Sequence, residues 1–142
     1  MKLFLVYKPI LTDEMYRSIN KCSNDTDWKN AYFRSGLMND RNAQEIVDEC
    51  ARTALYRLAA VAYVDELEQV FDIGNGYPVK PEHRYTRIRN ASSVSVGDLV
   101  YDTEQQRMYG CCDVGWTEVY VPEVMQHTVY THTSIHMSEV AA

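Results

Sequence analysis

The sequence predicts an α+β domain: an N-terminal strand and three or four helices packed with a small antiparallel sheet, or an open barrel, in the C-terminal half. Three observations predict it. A short apolar, β-prone run opens the chain, a helical stripe of apolar residues runs from Ala43, and from Arg84 the pattern changes to short strand-like runs separated by turn formers. At 142 residues the chain fits one domain able to bury a core without staples. It divides by pattern into a helical part over about 1–75, a β-rich part over about 84–121 and a tail over 122–142.

Leu3 to Tyr7 reads as a buried strand that Lys8-Pro9 closes, since proline has no N–H for a ladder. Thr12 offers an N-cap, Asp13 and Glu14 suit the positive end of a helix, and Met15, Ile19 and Cys22 follow at helical spacing, so helix one is placed at about 13–22. Asp27 starts a short helix through Trp28, Ala31 and Tyr32 that Gly36 ends. The central helix carries Ala43, Ile46, Val47, Cys50, Ala51, Ala54, Leu55 and Leu58 on one face, with its cap near Asp40 or Asn42. On its other face Asp48 and Arg52 stand at the favourable i, i+4 separation. Ala59 to Val64 lacks a helical stripe and is read as a buried strand, the alternative being the end of that helix. Asp65 caps a short helix through Leu67, Val70 and Phe71, closed by Gly74-Asn75-Gly76.

Residues 72–83 hold two of the four prolines and two glycines and form a candidate hinge. Beyond it, strands are expected at Tyr85 to Ile88, Leu99 to Tyr101, Arg107 to Asp113 and Thr117 to Val121, with one more around Val129 in the tail.

The block Ser93-Val94-Ser95-Val96-Gly97-Asp98-Leu99-Val100, followed after a hairpin by Gly115-Trp116-Thr117-Glu118-Val119, resembles the YodL-like module of small phage and mobile-element proteins. The shared pattern is a serine-rich lead, a Val-Gly-Asp turn into a strand, then a glycine, an aromatic and a short strand. Upstream, Leu55-Tyr56, Ala59 to Val64, Asp65 to Phe71 and Asn75 are similar to the segment that precedes the pattern in phage examples. The resemblance implies an accessory gene of a phage or mobile element and a β-rich module. It implies no chemistry, because Gly97 and Asp98 suit a turn, Gly115 another, and Trp116 a packing role.

Net charge is −6, and each half of the chain carries −3, which works against a general nucleic-acid or anionic-lipid binder. Four cysteines in a chain of this size need no disulfide framework, and the five-residue apolar run at the start is shorter than a signal-peptide core. A reduced, cytoplasmic protein without a membrane span is expected.

Four constellations remain. His127, His132 and His136 with Cys111, Cys112 and Asp113 are residue types that bind zinc, but no His-Glu-x-x-His pattern is present and adjacent cysteines on a strand point to opposite faces. No metal or cofactor is expected. A cysteine paired with a histidine would need a geometry for which no local signature exists, so no catalytic residue is assigned. Lys80, Arg84, Arg87 and Arg89, with His83 and Tyr85, make the one basic stretch; Tyr85, Arg87 and Arg89 on one strand face would suit single-stranded nucleic acid, and a solvated, charge-protected edge strand is the simpler reading. Residues 98–123 hold six acids against Arg107. Tyr101, Glu104, Tyr109, Asp113, Trp116 and Glu118 in that region are the candidate protein-binding face, because aromatics and charge complementarity mark interfaces. The expected partner is a host protein, and self-association through a sheet edge is a further expectation.

Overall fold

In the computed structural model, residues 1–19, 27–89 and 92–126 are described. Ten elements follow one another: β1 (Lys2–Pro9), α1 (Asp13–Ser18), α2 (Asp27–Ser35), α3 (Ala43–Arg52), β2 (Tyr56–Val64), α4 (Leu67–Gly74), β3 (Arg84–Arg87), β4 (Leu99–Asp102), β5 (Arg107–Cys111) and β6 (Trp116–Val119). Residues 122–126 add a helical turn. The α+β expectation stands, with an open, six-stranded antiparallel sheet of order β3-β2-β1-β4-β5-β6.

The two longest strands, β1 and β2, come from the part of the chain read as mainly helical, and both lie inside the sheet, β1 at its middle beside β4. Strand β1 runs through Lys8 and Pro9 rather than stopping before them: proline sits at the strand's last position, opposite Tyr56, where a missing N–H costs the ladder least. Alternation along β1 sends Leu3, Leu5 and Tyr7 to one face and Phe4, Val6 and Lys8 to the other.

Each face has its own core. On the first face Leu5, Tyr7, Leu99, Tyr101 and Met108 pack against Ile46, Val47 and Cys50 of α3, Ala31 of α2 and Met38. On the second, Phe4, Val6, Ala60, Ala62 and Val100 pack against Val70 of α4 and Val94 of the segment before β4. Arg34 of α2 clasps α3 through Glu49 at 2.5 Å and Glu45 at 3.5 Å. Asp48, expected to pair with Arg52, instead accepts from the Gln44 amide at 2.9 Å.

Helix α1 starts at Thr12, whose hydroxyl accepts from the Met15 N–H at 3.2 Å. It ends at Ser18, and residues 20–26, where the remainder of the 13–22 helix would fall, lie outside the described residues, as does the strand expected around Val129. The central helix ends at Arg52, six residues before the stripe runs out. Ala54 adopts φ 55°, and the N–H groups of Leu55 and Ala54 return to the carbonyls of Cys50 and Ala51, both at 3.0 Å. This is the paired closure of a helix C-terminus with a left-handed residue, made here with alanine in place of glycine. Leu55 and Leu58 keep their apolar role on the far side of that turn: Leu55 is fully buried, and Leu58 pairs with Tyr7 in the sheet. Residues 72–83 hold the end of α4 and an exposed stretch leading to β3. Helix α4 starts at Glu66 rather than Asp65, the Gln69 side chain accepting from the N–H of both at 3.0 Å.

Candidate functional site

The candidate protein-binding residues separate once the sheet is formed. Tyr101 is a correction: it is 3% exposed and points to the first face, opposite Leu5, where the helices seal it into the core. Glu104 lies in the β4–β5 turn and Asp113 in the β5–β6 turn, at opposite ends of the hairpins and each exposed. Their turns are locally determined. Asp102 Oδ1 accepts from Glu104 and Gln105 N–H at 3.0 Å, and the Cys112 N–H reaches the Gly115 carbonyl at 2.9 Å, with Gly115 at φ 73°.

Tyr109, Trp116 and Glu118 do come together. Tyr109 stands opposite Glu118 and Trp116 opposite Cys111, so all share the second face of β5–β6. Tyr109 and Trp116 are half-buried and Glu118 is exposed; Arg107 on the same face lies 3.7 Å from Glu118. Helix α4 packs on β2 and β3 and does not extend over β5 and β6. Among the described residues strand β6 is an edge of the sheet, with no strand paired on its outer side. Just beyond it, Gln44 of α3 holds both backbone groups of Tyr120, accepting from its N–H at 2.9 Å and donating to its carbonyl at 2.8 Å. The acidity of the region is smaller at the surface than in the sequence: Asp98 and Asp102 are buried, Asp102 beside Lys2 at 3.6 Å, which leaves Glu104, Asp113, Glu118 and Glu123 exposed.

The basic stretch does not form one patch. Lys80 pairs with Asp65 at 2.7 Å. Arg84 and Arg87 point to opposite faces of β3, and Arg84 is spent on the carbonyls of Pro81 and His83 at 3.0 and 3.1 Å. Tyr85 and Arg87 share a face as expected, but the strand stops at Arg87. Arg89 lies beyond it, its guanidinium donating to the Leu58 carbonyl at 2.8 Å. His83 is buried against Asp65, Nε2 to Oδ2 at 3.3 Å, and its Nδ1 has no partner. The Lys80 and His83 bonds hold the Asp65 carboxyl down at about 2.

Burial pushes the Cys50 thiol up to about 11 and the Cys111 thiol up to about 12, so both stay protonated at neutral pH and neither is an activated nucleophile. Among the described residues no three His, Cys, Asp or Glu side chains gather as metal ligands; His127, His132 and His136 lie outside them.

Sequence reasoning passed over a buried pair of charges. Lys8 and Asp98 form an ion pair, with Lys8 Nζ also donating to the Ser93 carbonyl at 2.7 Å and the Ser95 N–H donating to Asp98 Oδ2 at 2.8 Å. Burial pushes the Asp98 carboxyl up to about 6 against the opposing pull of Lys8 and the Ser95 N–H. The Ser-Val-Gly-Asp motif is thus the frame of this pair. Gly97 takes φ +97°, and a Cβ there would fall 2.5 Å from the Ser35 carbonyl oxygen. The one available signal was positional: Lys8 follows Phe4 and Val6 on the same side of a strand.

Comparison with known proteins finds no family model, no curated protein and no solved structure that matches this chain. Among the described residues no helix is long and apolar enough to cross a membrane.

Proposed function

We propose that this protein is a non-catalytic binding module whose β5–β6 end docks on another protein, the partner contributing an extended basic segment alongside β6. One observation carries the reading: Tyr109 on β5 and Trp116 on the outermost strand β6 stand half-buried where, among the described residues, no helix packs on the second face. Aromatics in such a position supply contact area at low entropic cost, and a free edge supplies main-chain hydrogen bonds. The exposed acids Glu104, Asp113, Glu118 and Glu123 outnumber Arg107, which favours a cationic partner. The resemblance of residues 93–119 to the YodL-like module supports a setting: an accessory protein of a phage or mobile element, acting in the cytoplasm on a host enzyme or defence system.

The test is a nuclease-treated pull-down from host lysate with the wild-type protein and with Trp116→Ala and Glu118→Lys. A protein partner held by the wild type and weakened about tenfold or more by either substitution is expected. A partner held equally by all three, or one released by nuclease, overturns the reading. Light scattering of the purified chain supplies a second check, since a dimer dissolved by Trp116→Ala would make the edge a self-association surface instead.

A further inference from the structure

Lys8 is 5% exposed and Asp98 2% exposed, on a sheet face otherwise filled by Phe4, Val6 and Val100. Taking both charges out of water costs several kcal/mol per ion, and apolar residues of similar volume in such places are often neutral or stabilising. Packing alone therefore does not account for the pair. Among the described residues it is also not sealed. Lys8 and Asp98 form part of the wall of a groove of about 290 Å³ between the C-terminal end of α2 and the segment before β4. A neighbouring depression of about 210 Å³ shares Lys8, Tyr32 and Ser92 with it.

The groove's chemistry is specific. Lys8 has three protons, of which the Ser93 carbonyl and Asp98 take two; among the described residues the third has no acceptor. Ser92 and Ser95 line the same groove and carry hydroxyls that can donate. Tyr32 and Phe33 line it too, their rings edge-to-face with centroids 5.8 Å apart and Phe33 55% exposed. Cationic and hydroxyl donors and two aromatic side chains in one lining match a ligand with an oxyanion at one end and a flat apolar body.

We propose that this groove binds a small aromatic carboxylate, its oxyanion on Lys8 and the serine hydroxyls and its ring against Tyr32 and Phe33. The site is separate from the β5–β6 face. An incoming anion meets Asp98 as well as Lys8, so it favours the protein with Asp98 protonated and its binding takes up a proton there. The other ionisable groups that face Asp98 are Tyr56 from β2, Tyr85 from β3 and Cys111 from β5. Burial raises all three above their ordinary values, so they remain neutral across the range in which Asp98 changes charge.

Benzoate tests this, because it stays ionised at both about pH 5.5 and about pH 7.5 and so isolates the protein's own titration. Its affinity, measured by NMR titration of the full chain, is expected to be about tenfold or more higher at the lower pH, with shifts at Lys8, Tyr32 and Ser95. Asp98→Asn keeps an oxygen to accept from Lys8 and Ser95 while removing the charge. It should bind benzoate at the higher pH as tightly as the wild type does at the lower one, and lose the pH dependence. Sulfate, which offers the anion without the ring, should bind more weakly than benzoate. Equal wild-type affinity at both pH values overturns the proposal without needing any variant, as do shifts confined to residues outside the groove. Sulfate binding as tightly as benzoate overturns the aromatic part of the assignment.

Discussion

The two faces of the sheet are built from the same six strands and covered differently. On the first, α2, α3 and residues 122–126 close over the strands, and Leu5, Met108 and Val119 are buried from the middle of the sheet to the β6 edge. On the second, α4 and Val94 cover the middle strands, and among the described residues no helix packs over the β5–β6 end, where Tyr109 and Trp116 are half-buried and Glu118 is exposed. One side of the molecule is committed to stability. The other keeps aromatic surface in reserve beside an open edge, and a chain gains nothing in folding from surface it does not bury.

The largest effect that would sharpen this contrast is on the closed face. Leu5→Ala should lower the unfolding free energy by about 3 kcal/mol in a denaturant titration, while Tyr109→Ala on the open face should cost about 1 kcal/mol or less. Comparable losses would break the comparison and mean that the β5–β6 end is covered in solution.

Gly97→Ala should follow, at about 2–3 kcal/mol, because the new methyl meets the Ser35 backbone and the residue must hold a positive φ. A calorimetric loss below about 1 kcal/mol would show that the closed face yields at its junction with the motif loop.

The buried carboxylate of Asp98 and the half-buried one of Asp65 predict opposite pH slopes. Asp98, raised to about 6, contributes stability that is fully present below its unfolded value of 3.8 and lost as the pH rises through about 6. Asp65, lowered to about 2, contributes stability present above 3.8 and lost as the pH falls towards 2. Thermal melts of Asp98→Asn should lose the decline on the neutral side alone, and melts of Asp65→Asn the acid-side loss alone.

The smallest expected change is a gain. Ala54→Gly relieves a left-handed alanine at the end of α3 and should stabilise the protein by about 1 kcal/mol, read by the same denaturant titration. No gain would indicate that the greater freedom of glycine in the unfolded chain cancels the relief.

Much of this architecture was legible in the residues, and the failures have physical causes. Thr12 capped the first helix as read, Gly97 and Gly115 made their turns, and Tyr85 and Arg87 shared a strand face, because each depends on neighbours within a few residues. The end of α3 was misplaced because Ala54, Leu55 and Leu58 continue a helical stripe, and only pairing with β1 draws that segment into a strand. Of the candidate binding face, Tyr109, Trp116 and Glu118 gathered and Tyr101 did not. Tyr101 and Tyr109 are similar residues on adjacent strands, and which of them is buried depends on what lies above the sheet.

By itself, then, the sequence determined what local energetics control: the α+β class, the Thr12 cap, the glycine turns and the alternation along each strand. Tertiary structure decided which strands lie in the middle, which face is closed and that Lys8 meets Asp98 from 90 residues away. Those outcomes rest on burial and charge pairing between distant segments, and such energies exist only once the segments have been brought together.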